Sequence, residues 1–246
     1  MRALLHGAWR TVLPVPGDAH GPLPPLLLGL TLLSGMIDAA SYLILGHVFV
    51  ANMTGNVVFL GFALAGAPGF SVASQLVALA AFVVGAFLGG RLLGPIGHRG
   101  RVLVRAGLAE TVLLAAAALV LVVDPVAEEG SSDSSRYLTI AVLAVAMGIQ
   151  NALVQVIAVP GLTTTVLTRT IAAVFTDSGR TGRFQEQGGR QLLSVLALAG
   201  GAVTGAALVF HSDQPAAVAV PAALAAVVTL GAARSTRAGG EWATPR

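Results

Sequence analysis

A short polar block, Asn52–Asn56 (Asn-Met-Thr-Gly-Asn), interrupts the apolar run from Val48 to Ala65. It closely follows Asp38, a single acid inside an earlier apolar run. In a membrane protein, backbone that leaves the helix is stable only where protein or a water-filled cavity satisfies it, and a buried ionisable residue indicates a functional site. These residue types therefore predict a site that binds a polar solute or an ion.

Asp38 belongs to a polar stripe with Ser34 and Ser41, and Tyr42 stands at the edge of the stripe. Helix positions at these spacings share one face. One interpretation is that the stripe lines a cavity in which Asp38 binds a cation or a proton. The other is that the carboxylate caps free N–H groups where a following short helix begins. The two are compatible, because a capping group in a cavity wall can still titrate.

Thr54, Gly55 and Asn56 predict the turn and the N-terminus of a short helix over Val57–Ala65. The unpaired N–H groups and the positive dipole end of this helix would bind an anion or a polar substrate in the protein interior. The alternative is a tightly packed turn in which the side chains of Asn52 and Asn56 satisfy the backbone.

The second half of the chain repeats this arrangement, with amides where the first half has an acid. A site built from both halves would hold one acid, which can carry at most one proton or cation. The amides could be ligands, or they could hydrogen-bond neighbouring helices. The aligned residues are Asp38 with Asn151, Tyr42 with Gln155, Thr54–Asn56 with Thr168, Arg169 and Thr170, Gly35 with Gly148, and Gln75, Gly85 and Gly89 with Gln191, Gly201 and Gly205.

Arg169 would oppose the dipole of a short helix that begins beside it, and a guanidinium at membrane depth requires a partner. We expect an ion pair between Arg169 and Asp38 across the repeat axis. The alternative is a shallow position from which Arg169 reaches the cytoplasmic surface. Glu110, inside another apolar run, would either pair with Arg105 or line the cavity.

The composition is that of a polytopic membrane protein whose surroundings are the lipid bilayer. Of the 246 residues, 55% are hydrophobic and 10% are charged, whereas a soluble domain has about 25% charged residues. All fourteen basic residues are arginine, in a few clusters, so nucleic acid is not an expected partner. The chain has no cysteine and its histidines are scattered singly, which predicts no metal site and no cofactor.

Six apolar segments are long enough to cross a hydrocarbon core of about 30 Å, which takes about 20 helical residues. Two further segments, Val48–Gly66 and Leu162–Asp177, are nearly long enough, but polar residues break each of them near its start. The six segments are Leu23–Leu45, Ser71–Leu93, Val102–Val123, Tyr137–Val159, Arg190–Phe210 and Pro215–Ala233.

The charges of the loops favour six spans over eight, because arginines in short loops stay in the cytoplasm. The clusters at residues 99–105, 180–190 and 234–237 are basic, and the loop at residues 124–133 is acidic. If both ambiguous segments enter and leave on one side, every basic cluster is cytoplasmic and the acidic loop is external, with only Arg136 against the rule. If all eight segments crossed, the first basic loop would be external and the acidic loop internal.

We therefore predict an all-α fold of six transmembrane helices and two re-entrant half-helices. Each half holds three spans, and because three is odd the halves must be inverted, which is a common transporter plan. The expected divisions are a flexible N-terminal tail (1–21), a first repeat (22–124), an acidic extracytoplasmic loop (125–136), a second repeat (137–233) and a cytoplasmic C-terminal tail (234–246).

Two motifs carry a resemblance to a known family. Gly35–Tyr42 (Gly-Met-Ile-Asp-Ala-Ala-Ser-Tyr), followed by Phe49–Asn56 (Phe-Val-Ala-Asn-Met-Thr-Gly-Asn) and Gly61, resembles the signature of the YoaK-like family of bacterial integral membrane proteins, a domain of unknown function. The resemblance covers Leu23–Ala233 and implies a bacterial inner-membrane protein. The family's second half has a Thr-x-x-Thr-Gly-Thr block, and this sequence has Arg169 in place of its glycine.

We predict a transporter of an unidentified small solute or ion, with both termini in the cytoplasm, and Asp38 would allow coupling to protons. A channel would share these sequence features. The alternative is a membrane scaffold or partner subunit without transport. An enzyme is less well supported, because the chain has no Ser-His-Asp set and no carboxylate cluster; the oligomeric state, a homo-oligomer included, is left open. The predicted central site comprises Asp38, Ser41, Tyr42, Asn52, Thr54, Gly55, Asn56, Asn151, Gln155, Thr168, Arg169 and Thr170.

Overall fold

The structure is a computed structural model of an all-helical chain. It describes residues 20–126, 133–159, 183–239 and 241–243, together with Trp9, Thr11 and Val12, and for residues 183–188 and 241 it describes the backbone alone. Within these ranges there are seven α-helices and no strand. The helices are α1 (Leu23–Ile44), α2 (Met53–Leu64), α3 (Val72–Leu93), α4 (Arg99–Val123), α5 (Asp133–Ile157), α6 (Arg183–His211) and α7 (Gln214–Ala238), followed by a 3-10 helix at Glu241–Ala243.

Six of these helices, all except α2, are long and apolar enough to cross a membrane. This confirms the six apolar segments expected from the sequence. The last four helices, α4 to α7, begin before their predicted apolar segments, because capping groups rather than hydropathy determine where a helix begins. The side chains of Ser71, His98 and Asp213 each accept a hydrogen bond from the backbone amide three residues later, at the starts of α3, α4 and α7.

α2 begins earlier than the sequence predicted. Its first residue is Met53, so Thr54, Gly55 and Asn56 lie inside its first turns, and the predicted start at Val57 is wrong. The chain instead turns at Gly46 and His47, which have φ angles of 88° and 56°. With 12 residues, α2 is about 18 Å long, which is too short to cross a hydrocarbon core of about 30 Å.

The long helices pack in a small set of pairs. α3 packs against α5, and α1 packs against α6. α4 packs against both α7 and α5, and α7 also packs against α1. The short helix α2 packs against α3, so it is held on the bundle mainly through that helix and the loops on either side of it.

Glycines bring α3 and α5 into backbone contact. A Cβ added at Gly85 would strike the backbone carbonyl of Val145. A Cβ added at Gly148 would strike the carbonyl of Phe82 and the amide of Ala86. The two helices can approach this closely because their contact residues lack side chains, which is how small residues act at helix crossings in membranes.

α1 and α6 meet in the same way. A Cβ added at Gly201 would strike the backbone carbonyl of Leu32. A Cβ added at Gly35 would strike the carbonyl of Leu198 and the amide of Ala202. Glycines therefore bring the helices together at both crossings.

Buried apolar side chains form two clusters, one at each end of the bundle. The Leu45 cluster, which also contains Leu121, lies where α1 and α4 end. The Leu27 cluster, which also contains Leu103, lies where α1 and α4 begin. The two clusters approach each other in the middle of the bundle, between Leu30 and Leu33 on α1 and between Ala106 and Leu114 on α4.

Charged residues separate between the same two ends. Arginines of α4 and α7 lie near the Leu27 cluster, and acids at the opposite ends of these helices lie near the Leu45 cluster. Arg136, which stood against the predicted charge pattern, pairs with Asp133 at an Nη1–Oδ1 distance of 3.6 Å, so it adds little net charge to its end. The residues concerned are Arg99, Arg101, Arg105, Arg234 and Arg237 at one end and Asp124, Asp133 and Asp213 at the other.

Part of the predicted C-terminal tail packs on the bundle. α7 continues to Ala238, and Trp242 is buried beside Gly21 and Gly100, at the starts of α1 and α4. The aromatic ring thereby covers the end of the bundle that holds the Leu27 cluster. Most of the predicted N-terminal tail lies outside the described residues.

Candidate functional site

The loop between α1 and α2 is held in place by contacts with residues that follow α2. His47 has positive φ, which is uncommon for a residue other than glycine. Its ring Nδ1 lies 2.9 Å from the carbonyl oxygen of Gly69. Its own carbonyl oxygen accepts a hydrogen bond of 3.1 Å from Nε2 of Gln75, a buried residue of α3. The α2–α3 loop and α3 together fix this turn.

The carboxylate of Asp38 binds the backbone just before α2. Its Oδ1 accepts hydrogen bonds from the amides of Val50 at 3.0 Å and Ala51 at 2.7 Å. Val50 and Ala51 are buried, so their amides have lost the water that would otherwise satisfy them. Asp38 thus binds free N–H groups, as the capping interpretation expects, although these groups precede α2 rather than belonging to its first turn.

Asn56 makes a reciprocal pair of hydrogen bonds with the backbone of Phe49. Its Oδ1 accepts from the Phe49 amide at 2.9 Å, and its Nδ2 donates to the Phe49 carbonyl at 2.6 Å. The side chain is fully buried. The side-chain amide of Asn56 therefore satisfies backbone groups of Phe49 that no strand or helix turn satisfies. This is the role that the packed-turn alternative gave to Asn56.

An aromatic cluster packs α2 onto the end of α1. The ring centroid of Tyr42 lies 5.0 Å from that of His47 and 5.3 Å from that of Phe49. These are contact distances for aromatic pairs. Tyr42 thus has a packing role in this cluster, and its predicted role as a ligand stays a prediction. The members of the aromatic cluster are Tyr42, His47, Phe49, Phe59, Phe62 and Phe70.

The other predicted residues of the first half differ in accessibility. Ser41 is buried, and its hydroxyl donates to the backbone carbonyl of Asp38 at 3.1 Å. Gly55 lies beneath the ring of Phe49, where an added Cβ would meet Cδ2 at 2.7 Å. Asn52 and Thr54 are exposed at the start of α2. The fold therefore brings Asp38, Ser41, Tyr42, Gly55 and Asn56 together and leaves Asn52 and Thr54 at the surface of this loop.

The predicted residues of the second half are only partly placed. On α5, Asn151 is partly buried and Gln155 is exposed. In the described parts of the chain, no hydrogen bond joins either amide to the α1–α2 loop. Thr168, Arg169 and Thr170 lie outside the described residues, and so does the expected ion pair between Arg169 and Asp38.

Gln150 joins α1 to α5 in the middle of the bundle. Its Nε2 donates to the hydroxyl of Ser34 at 2.8 Å and lies 3.4 Å from the carbonyl oxygen of Leu30. Both Gln150 and Ser34 are buried. Gln150 fits the inter-helix hydrogen-bonding role expected for the amides of the second half.

Glu110 is a buried acid whose surroundings the sequence did not predict. It is fully buried in α4, and within the described residues neither of its carboxylate oxygens has a hydrogen-bond partner. Arg105, its expected partner, is exposed and makes no ion pair with it. The signal in the sequence was a lone acid within an apolar run, a pattern that does not indicate which neighbours surround it.

No group of three His, Cys, Asp or Glu residues in the described ranges is placed to hold a metal ion. The functional groups at the α1–α2 loop are one carboxylate, amide side chains, hydroxyls and backbone N–H groups. Such groups can bind and orient polar ligands by hydrogen bonding.

Residues 26–231 match a protein-family model described as "Protein of unknown function (DUF1275)". The match covers most of the chain. The chain belongs to this family. This DUF1275 protein is also similar to the UPF0700 transmembrane protein YoaK of Bacillus subtilis (strain 168), with 34% identity over 156 residues, which is 63% of this chain and 67% of that protein. No solved structure matches the chain.

Membership of the DUF1275 family confirms the resemblance that the Asp38 and Asn52–Asn56 motifs carried. Together with the six long apolar helices, the similarity to a transmembrane protein supports a multi-pass membrane protein. The family description assigns no substrate, so the chemistry of the site has to be argued from its own residues.

Proposed function

We propose that this DUF1275 protein transports a small polar solute or an ion across the bacterial inner membrane, with a binding site at the α1–α2 loop. The observation that carries the proposal is the irregular backbone of residues 45–52, part of which is buried among apolar helices and held by Asp38 and Asn56. Backbone of this kind occurs in membrane proteins where it is buried in protein or lines a cavity. In transporters, such interruptions form the sites for substrates and coupling ions.

The proposal includes an inverted repeat of three spans in each half, and the helix contacts support it. In the alignment of the halves, Gly85 corresponds to Gly201, and Val145, the residue that Gly85 contacts, corresponds to Leu32, the residue that Gly201 contacts. Exchanging the halves turns the pairs α3/α5 and α4/α5 into α6/α1 and α7/α1, and all four pairs occur. A repeat of this kind would place a site where the two halves meet.

We further propose that α2 is a re-entrant half-helix. α1 ends in the Leu45 cluster, and Ala78, near the start of α3, belongs to the same cluster. α2 therefore connects two points at one end of the bundle, and its length does not suffice for a crossing. Leu162–Asp177 would be its counterpart in the second half.

The ligand groups in this proposal come from both halves. Asn52 and Thr54 are exposed near the N-terminus of α2, where free N–H groups and the positive end of the helix dipole favour an anion or a polar solute. Asp38 would supply a single acid for coupling to a proton. The second half would contribute Asn151 and Gln155 together with Thr168, Arg169 and Thr170. No catalytic step is included in the proposal.

A structural scaffold without transport is the second candidate. It is favoured by one observation: the hydrogen bonds of Asp38 and Asn56 go to backbone groups of the chain itself. If these two residues have only this task, the loop would be packed shut and inaccessible to water from at least one side of the membrane.

Accessibility of a cysteine placed at Thr54 decides between the two. The chain contains no cysteine, so a single thiol reports one position without background. Thr54 is preferable to Asn56, because it is exposed and its replacement breaks none of the loop's hydrogen bonds. The thiol is labelled with a membrane-impermeant maleimide, in whole cells and in inverted vesicles.

Transport by alternating access predicts labelling of the Thr54→Cys variant from both sides. Matched controls are Ser212→Cys, in the α6–α7 loop, and Gly97→Cys, in the α3–α4 loop. Each control should react from one side of the membrane only, and the two controls should react from opposite sides. Val83→Cys, on the exposed apolar face of α3, should react from neither side. Labelling of Thr54→Cys from one side only, with the controls as expected, would contradict the transporter and favour the scaffold.

A further inference from the structure

Glu110 lies far from the ends of α4 and is distinct from the α1–α2 loop. Its side chain is 0% exposed, and no described residue donates a hydrogen bond to either carboxylate oxygen. A carboxylate that is ionised, dry and unpaired is very unfavourable, so a buried carboxylate needs a proton, a cation or a charged partner. No charged side chain of the described residues fills that role, which leaves a bound proton or cation to balance the charge of Glu110.

The level of Glu110 in the bundle follows from its neighbours on α4. One turn before it, Ala106 belongs to the Leu27 cluster, and one turn after it, Leu114 belongs to the Leu45 cluster. Glu110 therefore lies in the layer between the two apolar clusters, at the middle of the bundle. In a membrane protein this is the region in which transporters hold their coupling ions.

Gln150 brings a second unpartnered oxygen to the same layer. On α5, which packs against α4, it stands between Met147 of the Leu45 cluster and Leu153 of the Leu27 cluster. Its Nε2 is bonded to Ser34, but its Oε1 is buried and has no partner among the described residues. Two uncompensated acceptors thus occupy one level of two adjacent helices, and no residue that the structure describes donates to either of them.

Two hydroxyl groups lie close to Glu110 along α4. Thr111, the next residue, donates to the carbonyl of Gly107 at 2.7 Å, and Thr229 of α7 donates to its own helix at Ala225, also at 2.7 Å. The Thr229 side chain faces Gly107, where an added Cβ would strike it. Each hydroxyl uses its proton on a backbone carbonyl and keeps lone pairs that can accept or coordinate.

The other titratable and charged side chains of α4 and of the helices packed against it lie toward the helix ends. None of those described stands at the level of Glu110, so none of them can neutralise it. They are Arg91 on α3, Arg99, Arg101 and Arg105 on α4, Asp133, Arg136 and Tyr137 on α5, and Arg234 and Arg237 on α7, with Asp213 at its start.

We propose that Glu110 and the side-chain carbonyl of Gln150 form an internal binding site for one monovalent cation, either a proton or Na⁺. Both are recognised by the same chemistry, one negative charge among uncharged oxygen atoms in an apolar layer. Binding itself does not depend on transport. The use of this site to couple ion movement to solute movement rests on the proposed function, so the test measures binding in the purified protein.

Infrared spectroscopy distinguishes the two cations, because a protonated carboxyl absorbs apart from a carboxylate. Spectra of the detergent-purified protein are recorded at a series of pH values in choline chloride, and again with choline replaced by Na⁺. We expect a carboxyl signal that either appears with protonation or shifts on addition of Na⁺. This signal should be lost in Glu110→Gln, which resembles the neutral state, and retained in Asp133→Asn, a matched control at an exposed acid outside both proposed sites.

A signal that depends on pH but not on Na⁺ identifies the proton, and a carboxylate signal that responds to Na⁺ but not to choline identifies the metal cation. If Glu110→Gln fails to fold, Glu110→Asp is used in protein made with ¹³C-labelled glutamate. The label shifts the carboxyl bands of glutamate, so the band of the site should be shifted in the wild type and unshifted in Glu110→Asp, whose aspartate carries no label. Identical responses of the wild type and the Glu110 variants to both pH and Na⁺ would overturn the proposal. The infrared test could show cation binding at Glu110 while the labelling test shows that Thr54→Cys reacts from one side only. That result would overturn the coupling of the cation to transport, but the binding site at Glu110 would stand.

Discussion

Two side chains at the α1–α2 loop satisfy backbone groups that would normally bond within secondary structure. Asp38 accepts from the amides of residues 50 and 51, and Asn56 binds both the amide and the carbonyl of Phe49. Asn56 and the two amides that Asp38 binds are buried, so no water replaces such partners, and each lost bond leaves a buried polar group unsatisfied. The stability of this loop therefore depends on the particular hydrogen-bonding groups that each side chain offers.

The first prediction concerns the two asparagines of the Asn52–Asn56 block. Asn56→Ala leaves the amide and the carbonyl of Phe49 unpaired, and we expect a loss of about 2–6 kcal/mol in the free energy of unfolding, from about 1–3 kcal/mol for each of the two groups. Asn52→Ala is the matched control, because Asn52 is exposed and its side chain caps no helix N–H group. It should change stability by less than about 0.5 kcal/mol. The measurement is unfolding of the purified protein by denaturant in detergent, and equal losses in the two variants would contradict the structure.

The second prediction separates the shape of Asp38 from its charge. Asp38→Asn keeps a carbonyl oxygen that can accept from Val50 and Ala51, whereas Asp38→Ala removes the acceptor from both amides. We expect the alanine variant to be less stable than the asparagine variant by about 2–6 kcal/mol, from about 1–3 kcal/mol for each of the two unsatisfied amides. Thermal unfolding in detergent measures the difference.

The outcome also bears on the transport proposal. If the asparagine variant is as stable as the wild type, any loss of solute movement in it can be assigned to the missing charge rather than to a disordered loop. If the asparagine and alanine variants are equally unstable, the charge itself holds the loop together, and the capping role assigned to Oδ1 is wrong.

The six long helices were predictable as elements because hydropathy over about 20 residues depends on nothing beyond the segment itself. The start of α2 was not. The Asn52–Asn56 block has the composition of a helix-breaking turn, yet Asn56 lies within the helix because its side chain bonds to Phe49 in the preceding loop. That bond depends on a turn at Gly46 and His47, which local propensity does not reveal.

The third prediction tests the crossing of α3 and α5. Gly85→Ala would force a methyl group against the backbone of Val145, and because backbone cannot rotate away, the helices must separate. We expect a loss of about 1–3 kcal/mol, as for an overpacked core. Gly90→Ala, on the same helix, is the matched control, since nothing lies within 4 Å of an added Cβ there. That variant should be as stable as the wild type or more so, because alanine favours helix over glycine by about 1 kcal/mol.

The same experiment extends to the second crossing. Gly201→Ala would strike the backbone of Leu32 as Gly85→Ala strikes that of Val145, so the two variants should lose similar stability. Unfolding in detergent compares all three glycine variants under one condition. A large loss at Gly85 with none at Gly201 would mean that the two crossings are not equivalent and would count against the proposed repeat.

On the scale of the whole molecule, the sequence indicated which residues are unusual but not which of them meet. Glu110 and Gln150 are distant in the chain, and they share a level only because α4 and α5 pack side by side between the two apolar clusters. The expected pairing of Glu110 with Arg105 followed from sequence proximity, and burial of one residue with exposure of the other rules it out. Which polar residues of different helices meet depends on tertiary packing, and the pattern of apolar residues within one helix does not determine it.

The last prediction concerns the orientation of the bundle in the membrane. Short loops with arginine stay in the cytoplasm, and the end of the bundle that holds Arg99, Arg101 and Arg105 opposes the end that holds Asp124 and Asp213. Reporter fusions, with alkaline phosphatase for external positions and a fluorescent protein for cytoplasmic ones, should therefore report position 97 as cytoplasmic and position 125 as external. A chain in which residues 48–66 also crossed would give the reverse result at both positions. Because the two topologies place positions 97 and 125 on opposite sides of the membrane, this experiment tests whether α2 returns to the side from which it enters.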